Sequence, residues 1–270
     1  ELLSALEDSY RVEFDEAAFT EATTLQDVEK LVREGKPDEP SQYQYPRWQE
    51  RWPNSWLRVV LFYLVVWPFT RVMARATIRG RNRLANISGP LVFVCNHVTL
   101  ADHALVLLAL PRKFRRRLAI AMDGELLKQW RYPSRDIKLF TRLVQRVEYL
   151  LVVLFFNVFS MPQKSGFRRS FAFAGELMDR GYNILIFPEG ERTKHGEMNP
   201  FRPGTGLLIS QLNAAVVPLR LDGLWELKQA GRHFAKPGEV LVTIGEPISY
   251  ARGTEAEVIS RDLQTKVKDL

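Results

Sequence analysis

The stretch Asn96-His97-Val98-Thr99-Leu100-Ala101-Asp102 carries the first side chains able to do acid–base chemistry. It follows the apolar β-formers Leu91 to Val94 and precedes an apolar helical run, Ala104 to Leu110. An imidazole ordinarily titrates near ~6.5, so a histidine at the mouth of a strand can take a proton at neutral pH and return it. On one continuous helix, residues five apart point about 140° away from each other, and His97 and Asp102 could not meet. They meet if His97 lies on the turn and Asp102 in the first helical turn. The carboxylate then holds one ring nitrogen and leaves the other for a substrate hydroxyl. A plainer reading stands beside this one: Thr99 and Asp102 approximate a capping box, with the acid stabilised at a helix N-terminus.

A second chemical stretch, Pro188-Glu189-Gly190-Glu191-Arg192-Thr193, follows a short strand expected over Ile184 to Phe187. Loops at the carboxyl ends of parallel strands are where α/β proteins place ligands. Gly190 allows close backbone approach, and Arg192 can grip a phosphate in two places. Glu189 with Arg192 can bind a polar head group while cancelling each other's excess charge. The bland alternative is a turn with a surface ion pair, worth at most ~1 kcal/mol.

These loops need strands and helices to hold them. Phe167 to Arg180 is helical in pattern and stops at Gly181. Pro203-Gly204 opens another helix, Ala215 to Leu219 and Val240 to Ile244 read as strands, and a last helix starts near Thr254. Ile137 to Val147 reads as an amphipathic helix, and Tyr149 to Phe159 as an apolar stretch that is either a buried strand or membrane-facing. The alternation predicts an α/β fold, a mostly parallel central sheet flanked by helices, with an N-terminal amphipathic membrane-associating helical segment. That segment is Val59 to Phe69, broken by Pro68 and flanked by Arg58, Arg71 and Arg75. Eleven apolar residues fall short of the ~20 that span a bilayer, so a helix lying in the interface is expected, with a core helix as the alternative.

Charge is unevenly spread. Residues 1–35 hold ten acidic and three basic residues, so against an overall +7 the remainder carries +14. A basic body serves nucleic acid, anionic lipid or an acidic partner. No zinc-finger spacing or RNA-binding aromatic signature occurs, which removes nucleic acid and leaves an anionic membrane surface or an acidic protein. Cys95, the single cysteine, excludes an internal disulfide, and the four histidines show no metal spacing. There is no Gly-x-Ser-x-Gly elbow and no phosphate-binding Gly-x4-Gly-Lys loop, and Gly204-Thr-Gly206 lacks the third glycine of a dinucleotide site. Residues 36–55 read as a linker rich in proline and in aromatic rings (Tyr43, Tyr45, Trp48, Trp52) that suit either a membrane interface or packing onto the domain.

Two resemblances follow from quoted residues. Glu1 to Phe14, with Thr23-Thr24-Leu25-Gln26-Asp27-Val28, resembles the later helices of an acyl carrier protein. The resemblance implies a carrier serine about five residues before Glu1, outside this sequence, and a larger multidomain polypeptide. Residues 56–250 resemble the glycerolipid (lysophosphatidic acid) acyltransferase family: Asn-His-x4-Asp stands at Asn96 to Asp102 and Phe-Pro-Glu-Gly at Phe187 to Gly190, with Arg192 retained. Phe201 to Gly204 and Val217 to Leu219 match later landmarks, while Glu191 stands where the family usually has threonine. The organisation expected is therefore a partial carrier-like segment (1–35), a linker (36–55) and an acyltransferase domain (56–270).

The resemblance implies that His97 and Asp102 are catalytic and that Glu189, Gly190, Arg192 and Gly204 bind substrate. It also implies a lysophospholipid acceptor and a donor that is acyl-CoA or a phosphopantetheine-linked acyl thioester, with no cofactor bound. The family's second motif ends a strand in an arginine, but Val158 to Gln163 has none, so Arg168 or Arg169 is expected to substitute. The expected location is the cytoplasmic face of a membrane, peripherally held. Arg115, Arg116 and Arg117 are the expected docking surface for a carrier domain, and backbone N–H groups near the helix start the expected oxyanion stabilisers. A different hydroxyl or amine acceptor, or a non-catalytic lipid-binding module, are the alternatives.

Overall fold

The computed structural model describes residues 12–13, 24–34, 36–37, 45–162, 167–229 and 238–270. It divides into two compact units. One comprises Glu1–Pro46, Met122–Tyr149 and Phe159–Phe173; the other comprises Arg47–Ala121, Leu150–Val158 and Ala174–Leu270. In chain order the main strands are β1 (Ala74–Arg79), β2 (Val92–Cys95), β3 (Leu118–Asp123), β4 (Val158–Met161), β5 (Asn183–Ile186), β6 (Val216–Asp222) and β7 (Gly238–Ile244). The helices are α1 (Leu25–Glu34), α2 (Asn54–Met73), α3 (Asp102–Ala109), α4 (Arg112–Arg115), α5 (Gly124–Arg131), α6 (Leu139–Phe156), α7 (Phe167–Asp179), α8 (Pro203–Leu212), α9 (Leu224–Gln229) and α10 (Ala256–Lys268).

The strands form one sheet in the order β1-β7-β6-β2-β5-β3-β4. Strand β2 runs parallel to both β5 and β6, β3 runs parallel to β5, and β1 parallel to β7, whereas β6 and β7 are antiparallel. All four residues of β2 and of β5 are buried, as an unbroken apolar run requires of a central parallel strand. The chain leaves β2 on one side and later crosses over it from β5 to β6. That reversal opens a crevice at the carboxyl ends of β2 and β5.

Local chemistry explains the boundaries. Helix α7 ends where Gly181, at φ +79°, sends its N–H to Met178 O and Tyr182 sends its own to Leu177 O. Pro203 starts α8, and Asn213 ends it in the left-handed region. Thr24 and Asp27 form the expected cap of α1, with Asp27 Oδ2 2.9 Å from Thr24 N and Thr24 Oγ1 3.2 Å from Asp27 N. The carrier-like segment otherwise falls on residues 1–23, outside the described residues apart from Val12–Glu13, which pairs with Lys36–Pro37.

Three expectations change. Residues 139–156 are one helix, not a helix followed by a separate apolar stretch. It ends at Asn157, whose positive φ of 51° is a stop that no glycine or proline announces. Within the stretch left open between buried and membrane-facing, Tyr149 and Val153 are buried, Leu150 and Leu151 are exposed, and β4 is a buried strand. Secondly, Pro68 does not break the apolar helix. It sits at the start of its last α-helical section, beyond a π-helical turn over Phe62–Val66, and the whole runs twenty residues. That length reaches a bilayer's thickness, so the argument from eleven residues fails. Only 17% of its most apolar window is buried, which argues against a core helix.

The third change concerns Arg115. It donates from Nη1 to Leu107 O and Leu110 O and from Nη2 to Tyr63 Oη, with its guanidinium 4.1 Å over the Phe62 ring. Arg81 covers Leu108 O and Ala109 O in the same way. Two arginines thus satisfy the carbonyl end of α3 and its negative dipole. Arg115 is therefore an architectural cation rather than part of an open docking surface. The aromatic-rich entry divides as well: Tyr45 stacks on Phe173 at 4.5 Å and bonds Ser170 Oγ at 2.7 Å, whereas Trp52 and Trp56 stay exposed.

Candidate active site

The segment after β2 is tied down from three sides before it reaches α3. Asn96 makes a two-way bond with the backbone of β6, donating from Nδ2 to Leu221 O at 3.0 Å and accepting from Leu221 N at 2.8 Å. Glu189, from the loop after β5, accepts the His97 N–H at 2.7 Å on Oε1 and the Asn199 N–H at 2.8 Å on Oε2. Thr193 donates its N–H to His97 O at 3.0 Å. The two loops at the carboxyl edge of the sheet are thus stitched together through backbone groups.

Asp102 opens α3 and is fully buried. Its Oδ2 lies 2.7 Å from His97 Nδ1 and accepts the N–H of Val98 at 2.6 Å. Oδ1 accepts the Thr99 hydroxyl at 2.9 Å, and the Thr99 N–H lies 3.0 Å from both oxygens. The alternatives framed on the sequence therefore coincide in one carboxylate: it closes the turn before the helix and also orients the imidazole. With Asp102 on Nδ1, Nε2 is left without a hydrogen-bond partner among the described residues. The ring face is fixed by stacking on Phe187, 4.4 Å away at 28°.

His103 completes the wall. Its ring lies edge-on to His97 at 5.8 Å and to Phe187 at 4.9 Å, and meets Phe156 at 5.7 Å. Burial foremost, then the nearby His97, pulls its pKa down to about 4, so it stays neutral at physiological pH. In the unfolded chain it takes a proton near ~6.5. The unfolded state thus binds more protons between those values, and the folded state loses stability as pH falls through this window. We expect up to roughly 3 kcal/mol of pH-dependent stability from this group, read as the difference in denaturation free energy between pH 7 and pH 4. His103→Phe should flatten that part of the profile; an unchanged profile would place the acid sensitivity elsewhere.

The sequence-predicted residues separate by role. His97 and Asp102 are brought into direct contact. Glu189 is only 3% exposed and uses both oxygens on backbone, which gives it a positioning role; burial raises its pKa while the His97 and Asn199 N–H groups oppose the rise. Gly190 turns at φ +71°, a left-handed conformation that favours glycine, with the Arg202 side chain packed where a Cβ would stand. Arg192 is exposed, has no side-chain partner among the described residues, and its charge reaches His103. Gly204 lies in the first turn of α8, and Arg168 and Arg169 in the first turn of α7, in the smaller unit.

Several contributors were not predicted. Asn96 and Asn183 act as backbone staples; Asn183 accepts from Leu91 N and donates to Phe114 O and Arg117 O. Gly206, considered above only as part of a dinucleotide pattern, lets α8 approach α10, since a Cβ there would lie 1.9 Å from Ala256 O. The expected oxyanion donors are narrowed too. The N–H groups of His97, Val98, Thr99 and Ala101 are already bonded, the last to Thr99 Oγ1. No cluster able to hold a metal ion occurs among the described residues.

The family model described as Acyltransferase matches residues 75–222, more than half of the chain. A chloroplastic 1-acyl-sn-glycerol-3-phosphate acyltransferase of Arabidopsis thaliana is 24% identical over 76% of this chain and 50% of its own length. The human 1-acyl-sn-glycerol-3-phosphate acyltransferase beta is 28% identical over 68% of this chain and 59% of its own. The chain thus spans about half the length of the curated relatives it matches. The crystal structure of a 1-acyl-sn-glycerophosphate acyltransferase from Thermotoga maritima superposes with a TM-score of 0.55 at 18% identity, covering 80% of this chain and 81% of that one, and shares the fold.

Proposed function

The chain belongs to the acyltransferase family, and on that footing we propose that it moves a fatty acyl group from a thioester to the hydroxyl of a lysophospholipid such as lysophosphatidic acid. The observation that carries this reading is the His97–Asp102 pair, with Nδ1 held at 2.7 Å and Nε2 unengaged. As the acceptor oxygen attacks the thioester carbonyl carbon, Nε2 takes its proton, and the buried carboxylate stabilises the imidazolium. The tetrahedral adduct collapses, the C–S bond breaks, and the imidazolium returns the proton to the departing sulfur. No acyl-enzyme forms, and Cys95, fully buried with its thiol pKa pushed well up by that burial, takes no part.

Arg192 is the phosphate clamp in this proposal, because it is the exposed guanidinium of the loop that Glu189 fixes beside His97. Arg192→Ala should raise the acceptor KM at least ~10-fold with little change in the donor KM, since a charged hydrogen bond is worth roughly 1.5–3 kcal/mol. Equal effects on both substrates would make Arg192 architectural. A panel of hydroxyl and amine acceptors belongs in the same assay, because β4 carries no arginine and a different acceptor is the second reading.

Donor and location are parts of the same proposal. Acyl-CoA and a carrier-bound thioester are both compatible with the chemistry, and parallel assays with the two donors decide between them. With Arg115 committed elsewhere, a carrier domain would be left Arg116 and Arg117. Helix α2 supports a peripheral membrane location: Phe62, Val66 and Thr70 are buried, so one side is held by the protein, while Leu64, Val65 and Phe69 are exposed and open to lipid. Release from vesicles by alkaline extraction is expected; retention would show that the helix spans.

A further inference from the structure

Beyond the carbonyl end of α3, a half-open cleft lies against α2. Four guanidinium groups line it, those of Arg58, Arg112, Arg115 and Arg116, and no carboxylate does. Arg58 and Arg115 are fixed by backbone oxygens: Arg58 reaches Leu154 O at 2.9 Å and Gln49 O at 2.5 Å. Arg112 and Arg116 are exposed and have no side-chain partner among the described residues. The remaining walls are apolar, with Val59, Phe62 and Tyr63 from α2 and Phe155 from α6. Just along α2, Leu64 and Val65 face outward.

We propose that this cleft is a binding site for the phosphate of an anionic membrane phospholipid, separate from the acceptor site. Unneutralised guanidinium forks match phosphate oxygens in pairs and are less strongly hydrated than ammonium groups. The apolar wall distinguishes the ligand from free phosphate: once the head group sits among the arginines, hydrocarbon can follow the exposed side of α2. The site is not the catalytic one. His97 lies at the amino end of α3, and the cleft begins at Leu107, beyond which come the residues after the helix, at the opposite end of about 12 Å of helix. The inference rests on the membrane-surface reading but not on acyl transfer, so it is tested by binding without turnover.

The probe is a short-chain phosphatidylglycerol kept below its micelle concentration, titrated into the full chain by calorimetry. Saturable binding near one equivalent is expected, with short-chain phosphatidylcholine binding more weakly. Arg112→Gln with Arg116→Gln should weaken binding at least ~10-fold, the loss of charge-assisted bonds. Arg252→Gln with Arg261→Gln removes the same charge from exposed residues of the C-terminal segment and should leave binding unchanged. Equal weakening by both double variants would mean a diffuse field and overturn the site. Competition by CoA or inorganic phosphate as effective as that by the lipid would overturn the lipid assignment. Unchanged thermal unfolding of both variants guards against a folding artefact, and since Arg112 and Arg116 bond no other side chain, that is the expected result. If the soluble lipid binds but the protein ignores vesicles, the site stands and the membrane location fails.

Discussion

His97→Ala will abolish most acyl transfer, lowering kcat at least ~10²-fold as expected for a lost general base. The size follows from geometry. Nε2 is the unengaged nitrogen of a ring held by Asp102 on one edge and by Phe187 on one face, so no second group is placed to take the proton. His103 cannot replace it, because its depressed pKa makes it a weak base in the wall beside the site. Donor binding should survive, since alanine leaves the backbone N–H that Glu189 accepts. The measurement is single-turnover transfer alongside donor affinity. Near-normal transfer by the variant would remove His97 from the mechanism.

Asp102→Asn will reduce kcat at least ~10²-fold and also lower stability, by roughly 1.5–3 kcal/mol for the weakened charge-assisted bonds. The amide can keep an oxygen toward Val98 N and the imidazole, so the local turn survives, but its neutral oxygen no longer stabilises the imidazolium. The two losses separate the roles that one carboxylate combines. A variant that unfolds more easily yet transfers normally would make Asp102 a turn-closing residue and nothing more. Equilibrium denaturation and steady-state kinetics on the same preparation give both numbers.

The contact between His97 and Asp102 was legible because a five-residue separation meets across a strand-to-helix turn and not along a helix. The central strands were legible as unbroken apolar runs, and the ends of α7 and α8 as glycine and proline signals. What stayed hidden depended on partners distant in sequence. Nothing near Glu189 announces that its oxygens serve His97 and Asn199, and nothing in Arg112 to Arg117 announces that one arginine closes a helix end while its neighbours remain open. The extent of α6 was missed for a local reason: an asparagine in the left-handed region ended it inside a continuing apolar run. Pro68 was over-read, because proline is tolerated where the helical bond it would break is already altered by a wider turn.

That wider turn sets the phase of the whole apolar helix. Phe62, Val66 and Thr70 recur every four residues and are all buried. In a regular α-helix such a row drifts about 40° per step around the axis. The π-helical turn winds more slowly and cancels part of the drift, so the row stays beneath the helix while Trp67 and Phe69 stay outside. The segment should therefore tolerate the loss of one residue inside this turn more readily than the loss of one elsewhere along the helix. Deleting one residue between Phe62 and Val66 would restore ordinary winding, four residues then covering about the angle that five cover now, so the residues after it would keep the sides they face. A deletion beyond Val66 would instead turn everything after it by about 100°.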